Sequence, residues 1–175
     1  MALVFQYGSN CSDSEINSAT RLSGDAKFAG IAETVDDFEL AFDVQSSGRG
    51  CAASDIVRKD GSKVWGVLCE VADHLISRQT AKACGRRSFD AIEGEGRNYK
   101  RETINVRRED GEVIPALTYT VKEPVPGLKT NIDYVRHIVC GLREHNVPDE
   151  YIAKVKALAA ANNPDIAGEV EKLGS

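Results

Sequence analysis

The stretch Ala2-Leu3-Val4-Phe5-Gln6, followed by Tyr7-Gly8-Ser9-Asn10 and then by Ser12-Asp13-Ser14-Glu15, sets the reading of this chain. A short apolar run halted by a glycine and small polar residues reads as a buried strand that ends in a tight loop. Ser12 or Asp13 supplies N-cap chemistry, with Glu15 close behind, so a helix starts immediately downstream. The Tyr7–Asn10 loop is therefore expected at a strand-to-helix junction, where loops carry chemistry more often than strands do.

Further along, Phe38, Leu40, Phe42 and Val44 alternate with other residues and predict a strand. Cys51–Val57 and Val64–Val71 flank Lys59-Asp60-Gly61-Ser62, and Asp-Gly between β-rich runs predicts a hairpin. The same cue recurs where Thr103–Val106 and Val113–Val121 flank Glu109-Asp110-Gly111-Glu112. His74–Ile92 carries helix formers interrupted by Gly85, which predicts two short helices. After Pro124-Val125-Pro126-Gly127, Ile132, Val135, Ile138, Val139 and Leu142 fall at helical spacing, predicting a helix over Asn131–His145. Pro148 is expected to open a second helix, since proline fits the first turn, and Asn163-Pro164 a third that Gly174 stops. Strands dominate the first two-thirds and helices the end, without βαβ alternation. The expectation is α+β: a mixed or barrel-like sheet with helices on its outside, in one domain over residues 1–175.

Composition narrows the function classes. The chain has 175 residues, of which 42% are hydrophobic and 28% charged, as in an ordinary globular domain able to bury one core. Its net charge is −5, which argues against a nucleic-acid partner that needs a dominant basic footprint. Apolar runs such as Val64–Cys69 are far shorter than the roughly 18 residues of a membrane span. Met1–Val4 reaches the polar Gln6 too soon for a signal peptide. Cys11, Cys51, Cys69, Cys84 and Cys140 form an odd, dispersed set, the pattern of reduced thiols in a cytoplasmic protein.

Several motifs fail on context. Gly48-Arg49-Gly50-Cys51-Ala52-Ala53 matches G-x-G-x-x-A, but a strand follows it where a dinucleotide site needs a helix N-terminus. No Walker loop is present, and no serine sits in a G-x-S-x-G elbow. His74, His137 and His145 are not spaced as ligands of one metal, and no third or fourth ligand converges on His137 and Cys140. The Tyr7–Asn10 loop reads either as an ordinary N-capping turn or as a set of backbone N–H groups aimed at an anionic oxygen. Glu93 ends a helix whose apolar face holds Phe89 and Ile92, just before Gly94 breaks it. A carboxylate there faces the negative end of the helix dipole, and burial would raise its pKa into the range useful for proton transfer. Asp90, one turn earlier, reads as a surface or capping group. Arg97, Lys100, Arg101, Arg107 and Arg108 read as a solvated hairpin face or as a patch that steers an anionic substrate.

Three stretches in order, Val4-Phe5-Gln6-Tyr7-Gly8-Ser9-Asn10, Val64-Trp65-Gly66-Val67, and Phe89-Asp90-Ala91-Ile92-Glu93-Gly94 with Tyr99 following, resemble the γ-glutamylcyclotransferase family. The segment Tyr134–Tyr151 is similar to that family's C-terminal helix pair. The resemblance implies a small mixed β-barrel with surrounding helices, one pocket, and neither cofactor nor metal. It implies Glu93 as the catalytic acid/base and Tyr7, Gly8, Ser9 and Asn10 as the substrate-binding loop, with Tyr99, Tyr119 and Tyr134 as further substrate-binding residues. The implied reaction is cofactor-independent: the α-amine of a γ-glutamyl group attacks its own γ-carbonyl, yielding 5-oxoproline and the free amine. Gln6 stands where the family commonly has a small residue and Cys11 where it commonly has an aliphatic one, which leaves specificity open. By resemblance the substrate is a γ-glutamyl-amino acid, with glutathione, a γ-glutamylamine or a non-catalytic γ-glutamyl-binding module as alternatives. Nothing in the sequence specifies an oligomeric state.

Overall fold

The computed structural model describes residues 1–174. Its strands are β1 (Ala2–Gln6), β2 (Lys27–Thr34), β3 (Phe38–Ser46), β4 (Cys51–Arg58), β5 (Trp65–Val71), β6 (Tyr99–Arg108) and β7 (Val113–Val121). Its helices are α1 (Asp13–Ile16), α2 (Arg78–Ala83), α3 (Phe89–Glu93), α4 (Ile132–Glu144), α5 (Asp149–Asn162) and α6 (Ala167–Lys172). Five strands close into a barrel in the order β1-β5-β2-β6-β7, while β3 and β4 form a separate two-stranded sheet. Neighbours in the barrel are antiparallel except β1 and β7, which run parallel where Val4 faces Leu117. The expected mixed barrel with helices around it is the observed architecture.

Two details differ from the sequence-based expectation. Lys59–Ser62 does turn, with the Ser62 N–H donating to the Lys59 carbonyl at 3.1 Å, but β4 and β5 do not pair. The turn is anchored instead to Asp37, whose Oδ2 accepts the Gly61 N–H at 2.8 Å and whose Oδ1 meets Lys63 Nζ at 2.6 Å. It carries the chain from β4, already zipped to β3, into the barrel, where β5 pairs with β1 and β2. The second difference is β2, which sequence patterning did not predict. Its alternation breaks at Gly30, whose φ of +121° is open to glycine and which sits at a register shift against β5. The β6–β7 hairpin forms as predicted, from Arg107 opposite Val113 to Tyr99 opposite Val121.

The helices follow their local signals. Asn131 caps α4 by accepting the Tyr134 N–H at 2.9 Å. Pro148 sits at the N-cap of α5, one position before the helical turn it was expected to occupy. Asn163 caps a 3₁₀ turn over Pro164–Ile166 that leads into α6. Among the described residues no helix is long and apolar enough to cross a membrane.

The core runs through the barrel and under α4, with Val4, Phe5, Val67, Leu68, Phe89, Ile138 and Leu142 sealed from solvent. Helix α4 presses on the segment after β1 through Gly141, where a Cβ would lie 2.5 Å from the Cys11 carbonyl carbon and 2.9 Å from its Cβ. That contact fixes the helix carrying Tyr134 against the loop that follows the first strand. Gly141→Ala is expected to cost about 1–3 kcal/mol through overpacking. Gly168→Ala in α6, where a Cβ meets nothing within 4 Å, should be neutral or stabilise by up to about 1 kcal/mol. Urea melts of the two variants test this, and an equal effect at both positions would contradict the close approach.

Candidate active site

Strand β1 delivers the chain to Tyr7-Gly8-Ser9-Asn10 at the barrel end, and a 3₁₀ turn over Ser9–Cys11 follows. The first hydrogen bonds of that turn come from the Cys11 N–H to the Gly8 carbonyl, at 3.0 Å, and from the Ser12 N–H to the Ser9 carbonyl, at 3.3 Å. The N–H groups of Gly8, Ser9 and Asn10 precede them and find no partner among the described residues. Gly8 is required by close approach, since its φ is −106°. A Cβ there would lie 2.5 Å from Ser54 Oγ and 3.3 Å from the Tyr134 hydroxyl.

Glu93 comes from the other side. Ser88 caps α3, its Oγ accepting the Ala91 N–H at 3.1 Å, and Gly94 ends the helix in the left-handed region with φ +71°. Phe89 is fully buried and stacks on the Tyr119 ring, centroids 5.7 Å apart. One helical turn later, on the same face, Glu93 is thereby aimed at the β1 loop. Its Oε1 accepts a hydrogen bond from Asn10 Nδ2 at 2.7 Å. Asn10 Oδ1 in turn accepts from Arg21 Nη1 at 2.6 Å. Because a guanidinium only donates, the amide oxygen must face Arg21 and the amide nitrogen must face Glu93. Burial pushes the Glu93 carboxyl above its ordinary value; the Asn10 hydrogen bond, Arg21, Gln6 and Arg49 pull the other way without cancelling it.

A cavity of about 40 Å³ lies between these elements, lined by Gln6, Tyr7, Gly8, Ser9, Asn10, Ser54, Glu93, Tyr99, Tyr119 and Tyr134. All eight residues that the sequence analysis singled out line it. Its phenols are mostly committed to the protein. Tyr7 donates to the Tyr119 carbonyl, Tyr99 to the Ser54 carbonyl at 2.7 Å, and Tyr119 to Asp90 Oδ1 at 2.8 Å. Tyr134 accepts from the Ser54 N–H at 3.0 Å and shares a hydrogen bond with Ser54 Oγ. Burial raises all four above the ordinary phenol value, so they remain protonated at neutral pH. With the phenols committed and the Glu93 carboxyl bonded by Asn10 and Gln6, the N–H groups of the Gly8–Asn10 loop are hydrogen-bonding capacity left at the cavity wall.

Sequence reasoning gave Arg21 and Arg49 no functional role. Arg21, Arg49 and Arg97 line a wider cleft that shares Ser9, Asn10, Glu93, Tyr99 and Tyr134 with the cavity. Arg49, at the tip of the β3–β4 hairpin, reaches Ser9 Oγ at 3.3 Å and Glu15 Oε2 at 2.7 Å and lies over the Tyr134 ring. It belongs to the glycine-flanked stretch that failed as a dinucleotide motif, and two glycines around an arginine at a hairpin tip were the available clue. Asp90 is neither a surface nor a capping group. It is buried, takes Arg101 Nη1 at 3.0 and 2.9 Å on its two oxygens, and holds the Tyr119 hydroxyl. The basic cluster is dispersed along β6, where Lys100 pairs with Glu102, Arg107 with Glu33 and Arg108 with Glu112. Of its five members only Arg97 borders the wider cleft.

A closed five-stranded mixed barrel, with a polar cavity at one end built from a strand–loop–helix junction and a single glutamate, defines the class. The family described as "Gamma-glutamyl cyclotransferase, AIG2-like" matches residues 4–136, and the chain belongs to that family. Among solved structures, a γ-glutamyl cyclotransferase superposes with a TM-score of 0.73 at 23% identity over 98% of both chains. An uncharacterized protein from Homo sapiens gives 0.74, also at 23% identity over 98% of both chains. YkqA from Bacillus subtilis gives 0.72 at 18% identity, over 92% of this chain and 55% of its own. At these identities the likeness is one of fold. Among curated proteins no sequence matches the chain.

Asp55, next to Ser54 on β4, is a titratable group built into the cavity's support. Burial pushes its carboxyl up to about 6, although the Val121 and Ile56 N–H groups bond to it. A raised carboxylate pKa contributes stability that is fully present below the unfolded value of about 4 and is lost as pH rises through about 6. Asp55→Asn is therefore expected to gain on the order of 2 kcal/mol over the parent at pH 8, and little at pH 4. Denaturant melts at the two pH values measure it; a gain of the same size at both would contradict the buried charge.

Proposed function

We propose that this chain cyclises γ-glutamyl-amino acids to 5-oxoproline with release of the amino acid. The observation that carries the proposal is the Glu93 carboxyl, raised by burial and fixed by Asn10 at a cavity lined by Gly8, Ser9 and Asn10, whose N–H groups have no partner among the described residues. Ring closure needs no enzyme nucleophile. It needs a substrate folded back on itself, a group to carry protons from the attacking to the leaving nitrogen, and donors for one oxyanion. Pre-organised closure of this type is worth on the order of 7–11 kcal/mol when the bound geometry is near attack.

In the proposed sequence, Glu93 takes a proton from the α-ammonium. The freed amine attacks the γ-carbonyl, a new C–N bond closes the five-membered ring, and the Gly8, Ser9 and Asn10 N–H groups hold the developing oxyanion. Collapse breaks the original amide bond as Glu93 returns its proton to the leaving nitrogen, and the second proton of the ring nitrogen then passes by way of the same carboxylate to the released amine, leaving a neutral lactam and an ammonium. Arg21 acts as a positioning residue by turning the Asn10 amide toward Glu93. Arg49, which lines the wider cleft beside Glu15, suits a leaving group that carries a carboxylate. That favours an amino acid or glutathione over a plain γ-glutamylamine. A non-catalytic binding module has no need of a carboxyl tuned for proton transfer.

The test is 5-oxoproline release from γ-glutamyl-alanine, glutathione and γ-glutamyl-lysine isopeptide. Release is expected to be fastest from γ-glutamyl-alanine and to fall about 10²–10⁴-fold in Glu93→Gln, with substrate binding and melting temperature retained. Silence on all three substrates, or comparable turnover in Glu93→Gln, would overturn the assignment. Arg49→Ala should raise KM for γ-glutamyl-alanine about tenfold and leave a γ-glutamylamine unaffected. Equal losses on both substrates would remove Arg49 from leaving-group recognition.

A further inference from the structure

Where α1 begins, just downstream of Asn10, the fold brings Asp13 against the C-terminal end of α4 and its residues Glu144 and His145. His145 has a side chain only 6% exposed, and its Nε2 is buried without a hydrogen-bond partner. Phe28 stacks on the imidazole, centroids 4.2 Å apart and planes 14° from parallel, which fixes the ring plane. Nε2 lies 3.3 Å from Asp13 Oδ1, off the line of a hydrogen bond. Glu144 Oε2 accepts the Asp13 N–H at 3.4 Å, and one ligand atom from each of the three residues lies within 4.8 Å of the other two.

We propose that Asp13, Glu144 and His145 form a binding site for a divalent cation of the Zn²⁺ class, separate from the cavity and independent of the cyclotransferase reading. The buried imidazole nitrogen lacks a hydrogen bond, and the half-exposed Asp13 carboxylate beside it can share a ligand with it. A shared cation satisfies both. Two ligands at 2.0–2.2 Å from tetrahedral Zn²⁺ stand about 3.4 Å apart, which is close to the observed separation. Two carboxylates beside a neutral imidazole balance the ion's charge, and the C-terminal end of the 13-residue α4 adds the negative end of the helix dipole. One nitrogen and two oxygens suit a borderline ion, whereas Mg²⁺ and Ca²⁺ prefer oxygen alone. Asp13 and Glu144 reach solvent, leaving a fourth position for water.

The three histidines do not converge on one another, as their spacing implies; the partners of His145 are carboxylates. Asp13 and Glu144 lie 131 residues apart, so no sequence motif could show the set. A bound ion cross-links the segment carrying Asn10 to the helix carrying Tyr134.

Cys84 and Cys140 are exposed thiols that would take up Zn²⁺ themselves, so the test uses the full chain with both changed to serine. Calorimetric titration with ZnCl₂ after chelator treatment is expected to show one ion per chain. Affinity should fall at least tenfold in each of Asp13→Asn, Glu144→Gln and His145→Gln. The first two changes lie at the surface and keep the fold, which circular dichroism checks, so the test holds even if the buried histidine variant unfolds. No saturable binding, or unchanged affinity in Asp13→Asn and Glu144→Gln, overturns the site.

Discussion

The hydrogen bond from Asn10 Nδ2 to Glu93 Oε1 joins two parts of the chain that the rest of the fold exists to bring together. One partner sits just after the first barrel strand. The other closes a five-residue helix that follows the fifth. Neither is positioned by its own segment alone. Asn10 is oriented by Arg21, and its loop is pressed from outside by α4 at Gly141. Glu93 is aimed by Phe89 stacking on Tyr119, a residue of β7, and Tyr119 is itself tied to the Asp90–Arg101 ion pair. Apart from Arg21, in the segment after α1, these supports pass through the barrel wall or through α4.

The same interaction sets a chemical compromise. Burial raises the Glu93 carboxyl, while the Asn10 amide and the nearby arginines oppose the rise. Full burial without Asn10 would favour a permanently protonated acid, and full exposure would favour an ordinary carboxylate. A group that both takes and returns a proton needs to lie between these limits. The surrounding phenols remain neutral and are spent on backbone and side-chain partners, so they shape the cavity without competing for that proton.

Much of this was legible in the residues. The apolar run ending in Tyr7-Gly8-Ser9-Asn10 announced a strand and a loop, and the helix ending at Glu93 announced itself by the apolar Phe89 and Ile92 and by Gly94 after it. Asp110-Gly111 marked the β6–β7 hairpin, which forms with Arg107 opposite Val113. What stayed hidden depends on long-range pairing. Asp60-Gly61 gives the same local cue as Asp110-Gly111, yet Asp37 captures its turn and sends the chain to a different sheet. β2 lost its alternation to the bulge at Gly30. Arg21 and Arg49 look like ordinary surface charges until the β3–β4 hairpin and the segment after α1 converge on the cleft. The role of Asp90 as a buried ion-pair partner was likewise invisible, because Arg101 lies on a strand that sequence patterning does not place against α3.

The most direct measurement is the ionisation of Glu93 itself, followed by the side-chain carboxyl carbon in ¹³C-glutamate-labelled protein and assigned by its loss in Glu93→Gln. Its midpoint is expected above the ordinary glutamate value of about 4.3, and higher still in Asn10→Ala, where the opposing hydrogen bond is gone. A midpoint at or below the ordinary value, or one that Asn10→Ala leaves in place, would contradict a carboxyl tuned by burial against the Asn10 amide.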